Sequence, residues 1–547
     1  MKKYLLLLLI IFNIFSIAVF GQDDVKKTGK IEYKYKMQDA RHQFLTNGNV
    51  RESLNIYREL LKDYTNDAMV NYRIGECHYR LDNFDLAVEY FQNAQRINDK
   101  VDKDLYFSLA QAYHRNNQLD ESLEAYNKYN SIASQKDRKF HQITNRISQL
   151  DYAKKMMASP VKAKIENLGN AINSRGGDYA PSISADGRTM IFTSRRSDTK
   201  GGEVDKAGDF KYFEDIYISI WDSIDNSWGK ARPIEGNLNT EGHDACLSIS
   251  PDGNSIYIYR NDGGAYIGDI FVSKKSLSSG SWGLPVPLEK PINTSYFESS
   301  ACLSADGNKL YFVSEREGKK SDAQGKGDIY VSERLTRTTW SEPKNLGPII
   351  NTPDDEISVF IHPDGKTLFF SSKGHLSIGG LDIFMSKLQD DGSWSKPENL
   401  GYPINTIDDD VHFILSLDGK TAYYSAVKGE GLGERDIYKI DLSEYPILAD
   451  GVTTNLSILK GVITNGENKV EANIEFKNET GAIAGKTVSN ESGNYFITLA
   501  GGHTYSITIN ASGYQPLAEK VELPLGKGTT FIKENSFDLV QLPAPEK

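Results

Sequence analysis

Residues 399–426 read NLGYPINTIDDDVHFILSLDGKTAYYSA, and shortened copies of this stretch return between about 160 and 440. The stretch holds a tail ending in Asn-Thr, a run of acids, a strand of alternating character, an Asp-Gly turn and another strand. The turn phrase occurs five times: SADGRTMIFTS from Ser184, SPDGNSIYIYR from Ser250, SADGNKLYFVS from Ser304, HPDGKTLFFSS from His362 and SLDGKTAYYSA from Ser416. The turn pairs are Asp186-Gly187, Asp252-Gly253, Asp306-Gly307, Asp364-Gly365 and Asp418-Gly419. In each, glycine stands where the chain needs positive φ. Downstream, EDIYIS, GDIFVS, GDIYVS, LDIFMS and RDIYKI supply a third strand, and Trp228, Trp282, Trp340 and Trp394 close four of the units.

Four short strands with period-two alternation, repeated every 54 to 66 residues, predict one antiparallel unit per copy. Together the five copies predict a five-bladed β-propeller over 161–446. Tails ending at Thr240, Thr294, Thr352 and Thr406 follow the first four units, while the fifth tail, IENLGNAINS, ends at Ser174 ahead of the first turn. That displacement predicts closure by a strand at 161–170, so that the last unit keeps no open edge.

Asp178, Asp244, Glu298, Glu356 and Asp410 each stand eight residues before the Asp of their turn. Equivalence puts them near the starts of the innermost strands, close to one mouth of an axial channel. Two readings follow. As a ring of five carboxylates they would hold a cation or a basic side chain, because converging like charges raise one another's pKa unless neutralised. As scaffold, each would accept hydrogen bonds from backbone N–H groups where unit meets unit, and the repeat favours this second reading. The acid excess at 354–356 and 408–410 makes Ca²⁺ the one candidate ion, although the spacing matches no EF-hand loop. His243, His362, His375 and His412 fall in different registers and form no metal-ligand spacing. No nucleophile elbow occurs, and Cys246 and Cys302 lie on predicted strands as small core residues. No catalytic set is assigned, and no enzyme is expected.

The ends of the chain differ in character. Lys2 and Lys3 precede an apolar run and the small-residue exit Ala18 to Gly21, which predicts a secretory signal peptide over 1–21. The chain as a whole is polar, with mean hydropathy −0.48. Three scattered cysteines, Cys77, Cys246 and Cys302, exclude a disulfide framework for an exported chain of this size. Net charge is −11, and residues 22–160 are slightly basic, so the acid lies beyond them. This balance argues against nucleic acid as partner.

From Ile31 to Met157 glycine is scarce and proline absent, and apolar residues return at three- and four-residue spacing. Gly75 to Ala110 and Ala87 to Ser122 are both 35 residues apart. Small residues there let paired helices approach closely, with a degenerate copy at 38–62 and a capping helix near 140–157. This pattern resembles tetratricopeptide repeats. Residues 455–542 carry short alternating runs between Gly, Asn and Glu turns and predict a small all-β sandwich of about seven strands, followed by a flexible tail at 543–547. Their LKGVI, GNYF and ASGY phrases resemble the carboxypeptidase regulatory-like family, in which the domain is an accessory without peptidase residues.

The expected fold class is therefore multidomain: helical repeats, a five-bladed propeller and a sandwich. The S-x-D-G turns and D-I-Y/F strands resemble PD40, or WD40-like, propellers of the TolB type. The whole order resembles a periplasmic protein group of the Bacteroidetes. That resemblance implies a non-enzymatic periplasmic scaffold serving type IX secretion or gliding machinery, with envelope or outer-membrane proteins as partners and a possible peptidoglycan-associated partner. Members often continue into an OmpA-like domain, and this sequence stops at Lys547 without one. The alternative is a binding module for peptidoglycan fragments or another small glycan or peptide, using Trp and Tyr residues on a propeller face.

Overall fold

The computed structural model describes residues 29–206, 210–261, 267–276, 279–317, 322–336, 338–448, 455–466, 468–525 and 530–543. The expected signal peptide and all but Pro543 of the expected tail lie outside them. The chain divides into two compact units, with the boundary between Asp151 and Tyr152.

In the first unit, α1 (29–45) is followed by α2 (Val50–Asp63), α3 (Ala68–Arg80), α4 (Phe84–Ile97), α5 (Leu105–Arg115), α6 (Leu119–Ile132) and α7 (Gln135–Phe140), and α8 (Ile143–Ala158) crosses the boundary. Asn49 and Asp67 start α2 and α3 by accepting hydrogen bonds from the Glu52 and Val70 amides, which satisfies otherwise orphaned donors. The 35-residue period reappears in the backbone: Asp82 and Asn117, each ending the first helix of a pair, both have φ near +57°. Buried Leu54, Tyr57, Leu60, Val70, Ile74 and Cys77 form one core. A Cβ on Gly75 would lie 2.7 Å from the Phe91 ring, so close approach of α3 and α4 does require glycine. The expected capping helix differs in detail. It begins at Ile143, and the six-residue α7 precedes it, capped by the Ser134 hydroxyl on the Asp137 amide.

In the second unit each turn phrase builds a sheet. The first contains Asp178–Ile183, Thr189–Ser194, Asp215–Asp222, Ser227–Trp228 and Arg232–Pro233; the second His243–Ile249, Ser255–Asn261, Ile267–Lys274 and Val286–Pro287; the third Glu298–Leu303, Lys309–Ser314, Asp328–Glu333 and Lys344–Asn345. The fourth contains Glu356–Ile361, Thr367–Ser372, Asp382–Lys387 and Glu398–Asn399; the fifth Val411–Leu415, Thr421–Ala426 and Asp436–Asp441, with Lys164–Asn167 on its edge. That edge strand pairs antiparallel in the register Lys164↔Asp441 to Asn167↔Tyr438.

The turns share one hydrogen-bond pattern. The Ser184 hydroxyl donates to Asp186, which also accepts from the Arg188 amide, while the Thr189 amide donates back to Ser184. Ser250, Ser304 and Ser416 repeat it. The five turn glycines have φ between +69° and +73°, a region in which other residues are strained.

The expectation of a closed five-bladed propeller is corrected by the strand pairing. Residues 164–441 form five separate small antiparallel sheets, and no ladder runs from one to the next. Neighbours are joined by single backbone bonds, such as Asp244 N to Glu214 O and Asp410 N to Leu381 O, and by apolar side chains. The reason is local: an Asp-Gly turn dictates pairing within its own hairpin, and its repetition copies the sheet without dictating how copies join. Residues 456–538 form two further sheets. The longest strand, Leu456–Asn465, pairs antiparallel with Asn494–Ala500 and in parallel with Phe531–Glu534 and Phe537–Asp538. Leu459, Ile474, Phe476, Tyr495 and Ile507 are buried in the core these two sheets share.

Candidate functional site

The five repeated carboxylates are fully buried at 0% exposure, and each faces the end of the tail that precedes its strand. Asp178 accepts from the amide and hydroxyl of Ser174, both at 2.6 Å, and Arg196 donates to it at 2.7 Å. Asp244 accepts likewise from Thr240 and from Arg260 at 2.7 Å. Glu298 and Glu356 accept from Thr294 and Thr352 and, being longer, reach the hydroxyls of Ser314 and Ser372 at 2.8 and 2.7 Å. Asp410 accepts from the amide and hydroxyl of Thr406 at 2.6 and 2.9 Å. Each carboxylate thus accepts from the residue four positions before it. Among the described residues no three His, Cys, Asp or Glu side chains come together as metal ligands.

The copies differ in compensation. Arg196, Arg316 and Lys428 occupy equivalent places beyond the second strand, but the fourth copy has Gly374, where a Cβ would lie 1.8 Å from the Thr352 hydroxyl. Burial pushes Glu356 up to about 7. It pushes Asp410 up to about 7 as well, against the lowering pull of Lys428. Loss of water, rather than mutual repulsion around a ring, is the leading cause in both.

Two further sets of repeated residues were given no role by sequence reasoning. The tail asparagines Asn173, Asn239, Asn293, Asn351 and Asn405 each pair with both backbone groups of a buried isoleucine, as Asn405 does with Ile383 at 2.8 Å in both directions. The third-strand acids Asp328, Asp382 and Asp436 accept from Asn345, Asn399 and Asn167 at 2.6–2.8 Å. The recurring N-L-G and N-T phrases were the available signal.

His243 is the centre of a charged cluster, with Glu214 Oε2 3.0 Å from Nδ1 and Asp205 Oδ2 3.3 Å from Nε2. The Tyr179 hydroxyl donates to the same Glu214. Glu214 raises the His243 pKa above its ordinary value. The other histidines stay apart: His362 faces Asp364 and the Ser416 carbonyl, His375 the Ile350 carbonyl, and His412 stacks on Tyr179. All three cysteines are free and buried.

Trp228, Trp282, Trp340 and Trp394 are between 6% and 9% exposed. They pack between neighbouring sheets, as Trp228 does on Tyr423 and Trp394 on Tyr311, and offer no exposed stacking platform. Trp221, which breaks the pattern of one tryptophan per unit, is only half-buried. Its ring meets Trp228 edge-on at 5.2 Å, and Trp228 donates to the Tyr423 hydroxyl at 3.2 Å. These rings wall a cavity of about 310 Å³ to which all five sheets contribute, at the ends of their first strands. Ile183, Ile249, Leu303, Ile361 and Leu415 form its apolar part; Asp186, Asn226, Asp418 and Lys439 are polar, and Thr530 comes from the C-terminal sheets. A small pre-formed concavity with aromatic walls and a few polar groups suits an amphipathic ligand.

Tetratricopeptide-repeat families match residues 42–102 and 104–136, so the helical unit contains a tetratricopeptide-repeat region. The comparison with curated proteins finds no match. Among solved structures, the type III secretion translocator chaperone SycD of Yersinia enterocolitica is 15% identical, over 22% of this chain and 85% of its own, with a TM-score of 0.21. An α-L-arabinofuranosidase of Lactobacillus brevis is 16% identical over 50% of this chain and 92% of its own, at 0.30. Hydrazine synthase of Kuenenia stuttgartiensis is 13% identical over 66% and 69%, at 0.26. Likeness at this level carries no functional argument. No helix among the described residues is long and apolar enough to cross a membrane.

Proposed function

We propose that this chain is a non-enzymatic binding protein of the cell envelope, whose sheets hold a small amphipathic ligand such as a peptidoglycan fragment or another small glycan or peptide. The observation that carries this reading is the cavity to which all five sheets contribute, with half-buried Trp221 on its wall. An apolar face of the ligand stacks on Trp221, and its hydroxyl or amide groups meet Asn226 and Lys439. Calorimetric titration of the full chain with chitotriose and with muramyl dipeptide tests it. Saturable binding that weakens at least tenfold in Trp221→Ala, with the melting temperature kept, is the expected result. Failure of both ligands to bind, or equal binding by the variant, overturns it.

A second reading rests on the repeats at 42–136, since stacked helix pairs commonly offer surface to a protein partner. In this reading the chain is a periplasmic scaffold for an outer-membrane-associated complex, such as a type IX secretion or gliding assembly. The leader-like residues 1–21 support export. Affinity purification of the tagged full chain from solubilised envelopes tests it, and recovery of a lone monomer would count against it.

A further inference from the structure

We infer that the C-terminal pair of sheets forms a wall of the ligand cavity, and that ligand affinity depends on its docking at the turn His362-Pro363-Asp364; this inference rests on the binding reading above. The sheets touch the cavity twice. Thr530, just ahead of the strand Phe531–Glu534, lies on its lining, and the Thr498 hydroxyl donates to the Pro363 carbonyl at 2.7 Å, Pro363 being itself a lining residue. A third bond, from Asn308 Nδ2 to the Lys486 carbonyl at 3.4 Å, fastens the same sheets to the turn of the third unit.

The fourth turn is also the one that departs from its copies. Serine opens the other four turns, and His362 opens this one. Its ring is fully buried, with Nδ1 3.3 Å from Asp364 and Nε2 3.3 Å from the Ser416 carbonyl. Ser416 belongs to the fifth turn and lines the cavity as well. One turn therefore joins the C-terminal sheets, through Pro363, to the cavity wall of the next unit, through His362. A shift of the docked sheets moves that wall, because interiors are close-packed and transmit displacement.

Thr498→Val in the full chain deletes the docking hydroxyl and keeps the side-chain shape. The expected result is a three- to tenfold loss of affinity for muramyl dipeptide or chitotriose, whichever the wild type binds, together with faster amide hydrogen exchange at 183–187 and 414–418. Thr530→Trp, which fills the cavity from the C-terminal side, is expected to abolish binding while the chain stays folded. Unchanged affinity and unchanged exchange in Thr498→Val overturn the inference even where the wild type binds. Where the wild type binds neither ligand, the binding reading fails, and the exchange measurement alone still decides the coupling.

Discussion

At Glu356 the same carboxylate that a fivefold repeat would assign to a cation is held by Thr352 and Ser372, and among the described residues no ion pair to it is formed. Its pKa of about 7 has a direct consequence for stability. Below the ordinary value near 4.5 both folded and unfolded states hold the proton. As pH rises toward 7 the unfolded chain releases it first, so this group lowers stability across that window and no further above it. Glu356→Gln, an isostere of the protonated form, is expected to match the wild type in denaturant unfolding at pH 4.5 and to exceed it at pH 8. A variant less stable at both pH values contradicts this. Asn405→Ala is expected to cost about 3 kcal/mol, because it leaves the buried N–H and C=O of Ile383 unpaired. Urea titration measures it, and a loss under 1 kcal/mol would show that water replaces the amide. The position of all five acids was legible from spacing. Their partners were not, since a hydrogen bond to Thr406 or Arg196 depends on a fold in which the tail returns beside the strand start.

Among elements, the helical repeats were the most legible, because small residues at a 35-residue period can serve close helix packing and little else. Gly75→Ala places a methyl group against the Phe91 ring and is expected to cost about 2 kcal/mol through overpacking. Thermal unfolding followed by helical circular dichroism checks it, and an unchanged transition would mean α4 shifts freely. The hairpins of the second unit were legible for a similar reason: Asp-Gly with serine two residues earlier writes its own hydrogen bonds. Joining one hairpin sheet to the next was not legible. It depends on lone backbone bonds and on hydroxyls such as Ser182, which accepts from the Ile249 amide at 3.0 Å, and such contacts leave no periodic mark. Trp221 was overlooked because it sits outside the repeat.

For the whole molecule, repetition in 164–441 copies one sheet pattern, and the departures from it cluster at one cavity. Trp221, the histidine-led fourth turn and Thr530, just ahead of the strand Phe531–Glu534, all border one cavity or fasten its wall, while the five matched acids lie elsewhere. We propose that this cavity takes the ligand. A crystal structure of the full chain soaked with muramyl dipeptide or chitotriose tests it most directly. Density is expected against the Trp221 ring, within hydrogen-bond reach of Asn226 or Lys439. Ligand density at another surface, with the cavity filled only by water, would contradict it.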